Sequence, residues 1–500
     1  MNAGHPDPVS PRAGGGHAVV IGAGIAGLLA AQALSGSFGQ VTLIERDRLD
    51  AAPTPRKGVP QGRHAHALQA RGLQCFEELL PGIQRELSAA GATPVDFCRE
   101  ARLHFPPGSP RPMESGIRIQ PVSRPLLESV LREHVLRTHG TNLRDACAVT
   151  GLTANATGRR ITGVRLRPRS RGTHDGTRDT GFQADLVVDA SGRSSHLPRW
   201  LADLGLPRVT ETSVDAHVGY ASRVYRVTSR IEWSAVFELL HPPTTARGAF
   251  ALRIEGDRLI VTLQGAAGDH PPTDEQGFDA FMKTLSSDVY EAVQQLRPAG
   301  TPVRYARTAN RRLDYHRLNP WPDGLIALGD AVCAFNPVYA QGMTVAALEA
   351  LALRDHLARH PDPRQPGACA KFQRRLRRIT AAPWALATLP DHAWQSRQPP
   401  LVSRIALWYL GRWHQLIPND PRMHRDIARV TNMLAPPLLL LHPRHLARVA
   451  ASVIRPRQRA RAADWGPTAR ADAASGQRVG HPHPESDTPA DHPSPTDPTA

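Results

Sequence analysis

The chain is poor in the features that mark secreted, membrane-spanning or zinc-bound proteins. Its five cysteines, Cys75, Cys98, Cys147, Cys333 and Cys369, are odd in number, scattered and never in a Cys-x-x-Cys pair. That argues against a disulfide framework, a zinc knuckle and a dithiol redox centre. Long apolar runs are missing too. "AVVIGAGIAGLLAA", Ala18 to Ala31, falls short of the roughly 20 residues a spanning helix needs. No Lys/Arg cluster precedes it and no small-residue cleavage site ends it, so it does not read as a signal peptide. "LAPPLLLLHP", Leu434 to Pro443, is shorter and broken by prolines. A soluble, cytoplasmic protein without a transmembrane segment is expected.

What the chain has in excess is arginine. Its formal charge is +16, and nearly all its cations are arginine, spread along the whole length. One denser stretch, "RPRQRARAADW" from Arg455 to Trp465, lies just before the tail. No helix-turn-helix, zinc-finger or RNP pattern accompanies the charge, so nucleic acid is not an expected partner. Apolar residues make up 41%, enough for a large core in a chain of 500 residues. Residues 1–16 are rich in Pro and Gly, and residues 466–500 end "HPHPESDTPADHPSPTDPTA". Neither end can build a core, so both are expected to be disordered.

Between them the pattern alternates. "HAVVIGAG" reads as a buried strand, "IAGLLAAQALS" as a helix and "VTLIER" as a strand, a βαβ opening. Helices follow at "RGLQCFEELLPGIQREL" and "SRPLLESVLREHVLRT", then strands at "ITGVRLRP" and "DLVVDASG". From 209 to 306 apolar and alternating runs such as "VGYASRVYRV", "GAFALRIEG" and "RLIVTLQG" suggest antiparallel strands, with one helix near Phe278–Leu296. "DGLIALGDA" returns to a strand and tight turn. A long helix from Gln341 to His360 and a mostly helical block complete the pattern. The expected fold is α/β: a Rossmann-like nucleotide-binding domain in two parts, 17–208 and 307–366. A β-rich substrate domain, 209–306, is inserted between them, and a helical region, 367–465, follows.

Gly22-Ala23-Gly24-Ile25-Ala26-Gly27 sits directly after a strand and opens a helix. Gly22 permits the tight turn, Gly24 lets a pyrophosphate approach the backbone, and Gly27 lets helix pack on strand. Glu45 ends the next strand, where a carboxylate accepts hydrogen bonds from ribose hydroxyls. These features predict dinucleotide binding. No second glycine fingerprint exists, so no dedicated nicotinamide domain is expected.

"DLVVDASGRSSHLPRWL", Asp185 to Leu201, resembles the strand-turn motif of FAD-dependent monooxygenases of the hydroxylase fold. "GLIALGDAVCAFNPVYAQGM", Gly324 to Met343, resembles their second flavin motif. The likeness spans about residues 17–360. It implies that FAD is the cofactor, that Asp330 hydrogen-bonds a ribitol hydroxyl and that Pro337 lies near the isoalloxazine. It also implies that Gly342 and Met343 open a helix facing the flavin O2/N1 edge, where a helix N-terminus stabilises negative charge. Arg124 matches the family's arginine near the pyrophosphate and ribitol. Arg46, beside Glu45, and Val149 complete the cofactor-binding set. Phe335, Asn336 and Tyr339 would line the substrate pocket, roofed by the β-rich domain with Tyr220. "RKGVPQGRHAH", "NRRLDYHRL" and "GDAVCAFNPVY" resemble the flavin epoxidases of polyether-antibiotic biosynthesis, relatives of squalene epoxidase. The sequence departs from them at Ala340-Gln341, where they have Gly-His, and in its C-terminal block.

The resemblance implies transfer of one oxygen atom from O2, via a flavin C4a-hydroperoxide, to a hydrophobic small molecule. The expected reaction is alkene epoxidation in polyketide or other secondary-metabolite biosynthesis. Electrons would come from NADPH or NADH, directly or through a separate flavin reductase. The flavin carries the chemistry, so no catalytic side chain is expected. Alternatives are hydroxylation of an aromatic substrate and a flavin reductase of the geranylgeranyl-reductase type. A halogenase is disfavoured by the missing W-x-W-x-I-P pattern. A prenyl-protein chaperone on the same fold is disfavoured by the intact motif around Asp330.

The remaining stretch is "RKGVPQGRHAHALQARG", Arg56 to Gly72. His64 and His66 are spaced as metal ligands on extended chain would be, yet no third ligand cluster accompanies them. The reading is therefore a flavin-contacting loop with no metal. Arg56 and Lys57 offer positive charge, Gly58 and Gly62 allow close backbone approach, and Pro60 stiffens the turn. The two histidines orient the loop by hydrogen bonds, leading into a helix from Leu68.

Overall fold

The computed structural model describes residues 15–106, 108–168, 179–362, 364–395 and 401–454. The expected disordered ends, save Gly15 and Gly16, and the basic stretch 455–465 lie outside them.

The apolar run of His17–Ile21 forms the centre of a five-stranded parallel sheet. Its order is Leu325–Ala327, Leu186–Asp189, His17–Ile21, Gln40–Ile44 and Thr141–Arg144. Strands covered on both faces read as continuous apolar runs, as "LVVD" and "VTLI" do. Register brings Ile21 beside Ile44 and Asp189, and Asp189 beside Ala327. The carboxyl ends of these strands therefore share one edge, where open α/β sheets bind ligands. The helix Ile25–Ser35 packs against both Arg124–Leu136 and Gly342–Arg359. Leu28, Leu29 and Leu34 join Val19, Val20 and Leu353 in the main core. The antiparallel strands Cys147–Ala154, Ile161–Pro168 and Thr180–Gln183 add Leu152, Val164 and Leu166 to it.

The β-rich part is a seven-stranded sheet built on Gly219–Arg226, Arg258–Gly265, Arg247–Ile254 and Ala235–Glu238. It also takes in Ala101–His104, which lies well before residue 209 and pairs in parallel with Ala235–Glu238. One face is covered by Phe278, Phe281, Met282 and Val289. The single helix expected near Phe278–Leu296 is two, Glu275–Met282 and Val289–Gln294. Between them Ser286 and Ser287 donate backbone N–H groups to the buried Glu238 carboxylate, which turns the chain. "RGLQCFEELLPGIQREL" is likewise two helices, Ala70–Leu79 and Ile83–Ala89, broken at Leu80-Pro81-Gly82. Gly82 takes φ +90°, a left-handed conformation suited to glycine.

The last block is helical as expected: Ala368–Gln395, Leu401–Leu416, Pro421–Thr431 and Pro443–Ile454. Trp413, Met423 and Ile427 pack with Leu103 and Phe105 of the early segment. This wraps the C-terminal helices over the edge of the second sheet. Among the described residues no helix is long and apolar enough to cross a membrane. All five cysteines are buried and unpaired.

Candidate active site

The glycine turn is set by contact distances. Gly22 has φ +98°, and a Cβ there would stand 2.8 Å from the Ala190 carbonyl oxygen. A Cβ on Gly27 would stand 1.9 Å from the Gly22 oxygen. Gly24 is different: a Cβ would meet nothing nearer than Arg56 Nη2 at 3.7 Å, and the residue borders a cavity. Replacing Gly27 with valine is therefore expected to push helix from strand. The variant should purify without bound dinucleotide, as read from its absorption spectrum. A variant that keeps full cofactor occupancy would contradict this packing role.

Next to the turn lies a web of charges. Glu45 accepts hydrogen bonds from the Ala23 N–H at 2.9 Å and the Asp47 N–H at 3.0 Å. Arg56 Nη1 sits 3.0 Å from Glu45 Oε2, and its Nε donates to Glu128 Oε2 at 2.9 Å. Arg124 Nε donates to the other Glu128 oxygen at 2.8 Å. Burial pushes the Glu128 carboxyl up, but the Arg124 and Arg56 guanidiniums outweigh it and hold it below the usual carboxylate range. Asp47 accepts the Gly58 N–H at 2.7 Å, which pins the loop. Arg46 and Lys57 are exposed at the rim.

Opposite stands the Asp330 turn. Asp330 lies 3.6 Å from Arg193 Nε. Arg193 also donates to the Ala309 carbonyl at 2.7 Å and to the Phe335 carbonyl. Sequence reasoning missed this clamp, although Arg193 lies inside the quoted "DASGRSS". Ala340 adopts φ +52°, a left-handed conformation that favours glycine, just before the helix starting at Gly342. Behind the turn, Glu349 is fully buried and accepts the Gly329 N–H at 2.5 Å. Burial pushes Glu349 up to about 8, and the Asp330 carboxylate adds to the shift.

That gives a pH prediction. The unfolded chain ionises Glu349 near its ordinary value of 4.5, whereas the folded chain holds the proton to about 8. Stability contributed by this site is thus lost as pH rises through that window. Glu349→Gln keeps an acceptor for Gly329 and does not titrate. Its stability relative to wild type should climb from pH 5 to pH 8, by at most about 1.4 kcal/mol per pH unit. Urea midpoints across that range check it, and a flat difference would refute it.

A second missed residue is Asp391, in the last turns of Ala368–Gln395. It is 1% exposed and accepts hydrogen bonds from Asn310 Nδ2 (2.6 Å), Asn336 Nδ2 (3.0 Å) and the Tyr339 hydroxyl (2.6 Å). Burial pushes its carboxyl up against the pull of those donors. The C-terminal helix is thereby tied to the turn that follows Asp330.

Glu45, Arg56, Arg124, Arg193, Asp330, Asn336 and Tyr339 border one cavity of about 790 Å³, with Glu128, Glu349 and Asp391 behind them. Of the cofactor and pocket residues singled out from the sequence, all line it except Gly27, which lies under the turn, and Gly62, which packs against Arg124 and Val59. One end is polar, with Gly22, Gly24, Glu45, Arg56 and Arg124. The other is apolar, with Phe105, Phe237, Phe250, Leu386, Leu389 and Leu410 drawn from the second sheet and the C-terminal helices. The loop from Arg56 runs between the ends. His64 Nδ1 pairs with Ser222 Oγ at 2.7 Å, and His66 Nδ1 with the His64 carbonyl at 2.8 Å. Burial lowers both imidazoles, His64 to about 3 and His66 to about 4, so both are neutral at pH 7. Among the described residues no group of three or more His, Cys, Asp or Glu is placed to hold a metal ion.

Comparison with known proteins agrees with this geometry. A family model described as FAD binding domain matches residues 17–362. Protein Rv3254 of Mycobacterium tuberculosis is 34% identical over 381 residues, covering 75% of this chain and 80% of that protein. Kynurenine 3-monooxygenase of Salinispora tropica is 26% identical over 398 residues, covering 69% of this chain and 73% of that enzyme. The crystal structure of a flavoprotein/dehydrogenase from Cytophaga hutchinsonii superposes with a TM-score of 0.65 at 16% identity. It covers 88% of this chain and 100% of that one, a likeness of fold.

Proposed function

Because the chain belongs to the FAD-binding-domain family of flavin-dependent monooxygenases and hydroxylases, we propose that it places one oxygen atom from O2 on an unsaturated carbon of an apolar substrate. The reaction we favour is alkene epoxidation. One oxygen atom goes to the alkene and the other leaves as water, with two electrons and a proton from NADPH or NADH and a second proton from solvent.

The residues present fit FAD. Gly24 leaves open space beside the cavity where any side chain would intrude. The amino end of Ile25–Ser35 opens at the same place, suited to a pyrophosphate. Glu45 is buried at the end of its strand, within reach of ribose hydroxyls it would share with Arg56. Arg124 and Asp330 would hold the middle of the cofactor, and the first backbone N–H groups after Gly342 its ring edge. When bound and reduced, FAD supplies the electrons and passes the oxygen atom. The chain's own residues position and enclose. The Arg193 clamp on the Phe335 carbonyl fixes the wall beside the ring site. Asn336 and Tyr339 are fixed by Asp391. Leu410, His414 and Leu440 of the C-terminal helices close the apolar end against water.

The observation that carries this reading is the continuity of the cavity from the dinucleotide turn to the apolar lobe. Aromatic hydroxylation is the second reading, favoured by the likeness to the Salinispora kynurenine 3-monooxygenase. Steady-state assays separate them. FAD-loaded protein with NADPH or NADH, and an added flavin reductase where needed, is expected to convert a linear polyene to its epoxide. Phenols from aromatic substrates alone would favour the second reading. Cofactor oxidation that no polyene or aromatic compound accelerates would overturn both.

A further inference from the structure

Three residues lining the cavity carry buried polar atoms without partners among the described residues: His64 Nε2, the Tyr220 hydroxyl and Gln341 Oε1. Gln341 belongs to the wall that precedes the helix at Gly342. The other two stand together. The His64 and Tyr220 rings are 6.0 Å apart, and Tyr305 closes the group at 5.4 Å from His64. His64 and Tyr220 are each 4% exposed. A buried polar atom left unpaired costs stability, so a cavity-facing pair without partners is a site awaiting one.

The hydrogen-bond chain behind His64 sets what that partner must be. Thr262 Oγ1 accepts the Ala65 N–H at 2.9 Å and lies 2.6 Å from Ser222 Oγ. Ser222 Oγ lies 2.7 Å from His64 Nδ1. Among the described residues Thr262 has no other acceptor for its own hydrogen. The arrangement that uses every hydroxyl hydrogen runs from Thr262 to Ser222 to Nδ1. The imidazole is neutral, so its proton then sits on Nε2 and points into the cavity. The site offers an N–H donor and a phenol, and Phe250 and Leu252 line the cavity from the strand beyond that of Thr262.

We propose that His64 and Tyr220 form a recognition point for a single oxygen of the substrate, a carbonyl or hydroxyl on an otherwise apolar molecule. This rests on the reading above that the apolar lobe holds substrate. It assigns the lobe an oxygenated apolar compound rather than a pure hydrocarbon. Ser222 and Thr262 act as positioning residues by fixing the tautomer.

The test is equilibrium binding to the FAD-loaded protein without reductant, so that nothing turns over. The probes are 2-acetylnaphthalene and its oxygen-free counterpart 2-isopropenylnaphthalene, titrated by calorimetry. Wild type is expected to bind the ketone about tenfold more tightly, the size of one or two well-made hydrogen bonds. His64→Phe and the milder Tyr220→Phe should each erase most of that preference while leaving the alkene's affinity within about threefold. Equal binding of the two probes by wild type, or a preference that survives both substitutions, overturns the proposal. Loss of FAD from both variants with the preference unchanged would mean the flavin takes these groups, and overturns it too. Failure of either probe to bind a protein that holds FAD would sink the substrate-lobe reading and this one together.

Discussion

Replacing Glu128 with alanine is expected to lower stability by roughly 3 kcal/mol and to empty the protein of FAD. Glu128 is the common anchor of Arg56 and Arg124, and all three side chains are at most 12% exposed. Removing it strands two guanidiniums where water cannot fully replace the carboxylate, which costs far more than losing a surface pair. Arg56 would keep Glu45 and Asp47, so Arg124 suffers most. The effect has a defined pH dependence. The folded carboxyl is held below the usual range, so its stabilisation is full above the unfolded value and is lost as pH falls through the folded one. The gap between wild type and Glu128→Ala should therefore be wide at pH 7 and narrow toward pH 3. Glu128→Gln keeps an acceptor for one arginine and should fall between. Urea midpoints and flavin absorbance check this, and an alanine variant within about 0.5 kcal/mol of wild type would contradict it.

Asp391→Ala should be comparably severe, for a different reason. It leaves the Asn310 and Asn336 amides and the Tyr339 hydroxyl without their acceptor in a buried place. Each stranded donor costs about 1–3 kcal/mol, and partial relaxation makes roughly 3 kcal/mol a fair total. Function should suffer beyond stability, because these donors hold the wall between Phe335 and Ala340. A loose wall admits water to the apolar lobe. More of the electrons consumed should then end in hydrogen peroxide rather than in oxygenated product. Tyr339→Phe removes one bond and should show a smaller rise. A well-folded Asp391→Ala protein with unchanged coupling of reductant consumption to product would contradict this role.

What the sequence discloses and what it hides divide by distance along the chain. The glycine turn, Glu45 and the Asp330 turn are local devices whose chemistry depends on residues a few positions apart, and they read directly. The strand Leu186–Asp189 and the helix Gly342–Arg359 follow from plain apolar runs. Glu128 and Asp391 do not read, because each looks like an ordinary polar position on a helix. Their meaning comes from partners brought in by packing, such as Arg56 for one and Asn310 for the other. Ala101–His104 has the same character: its partner strand lies far down the chain, and no turn signal announces the pairing. The break between Glu275–Met282 and Val289–Gln294 does not read either, because it depends on Glu238, a residue from another strand that collects the Ser286 and Ser287 N–H groups. His64 was visible as an unusual histidine, but its pairing with Ser222 made it a wall of the cavity rather than only a loop anchor.

The central claim is that one cavity brings flavin and an apolar substrate together so that oxygen passes between them. Single turnover tests it most directly. The FAD-loaded protein is reduced without oxygen, mixed with a linear polyene and exposed to O2 labelled with oxygen-18. The account predicts one labelled oxygen atom per oxygenated product molecule, with the label absent when labelled water replaces labelled O2. Unlabelled product, or complete reoxidation with all the oxygen recovered as hydrogen peroxide whichever unsaturated substrate is present, would contradict it.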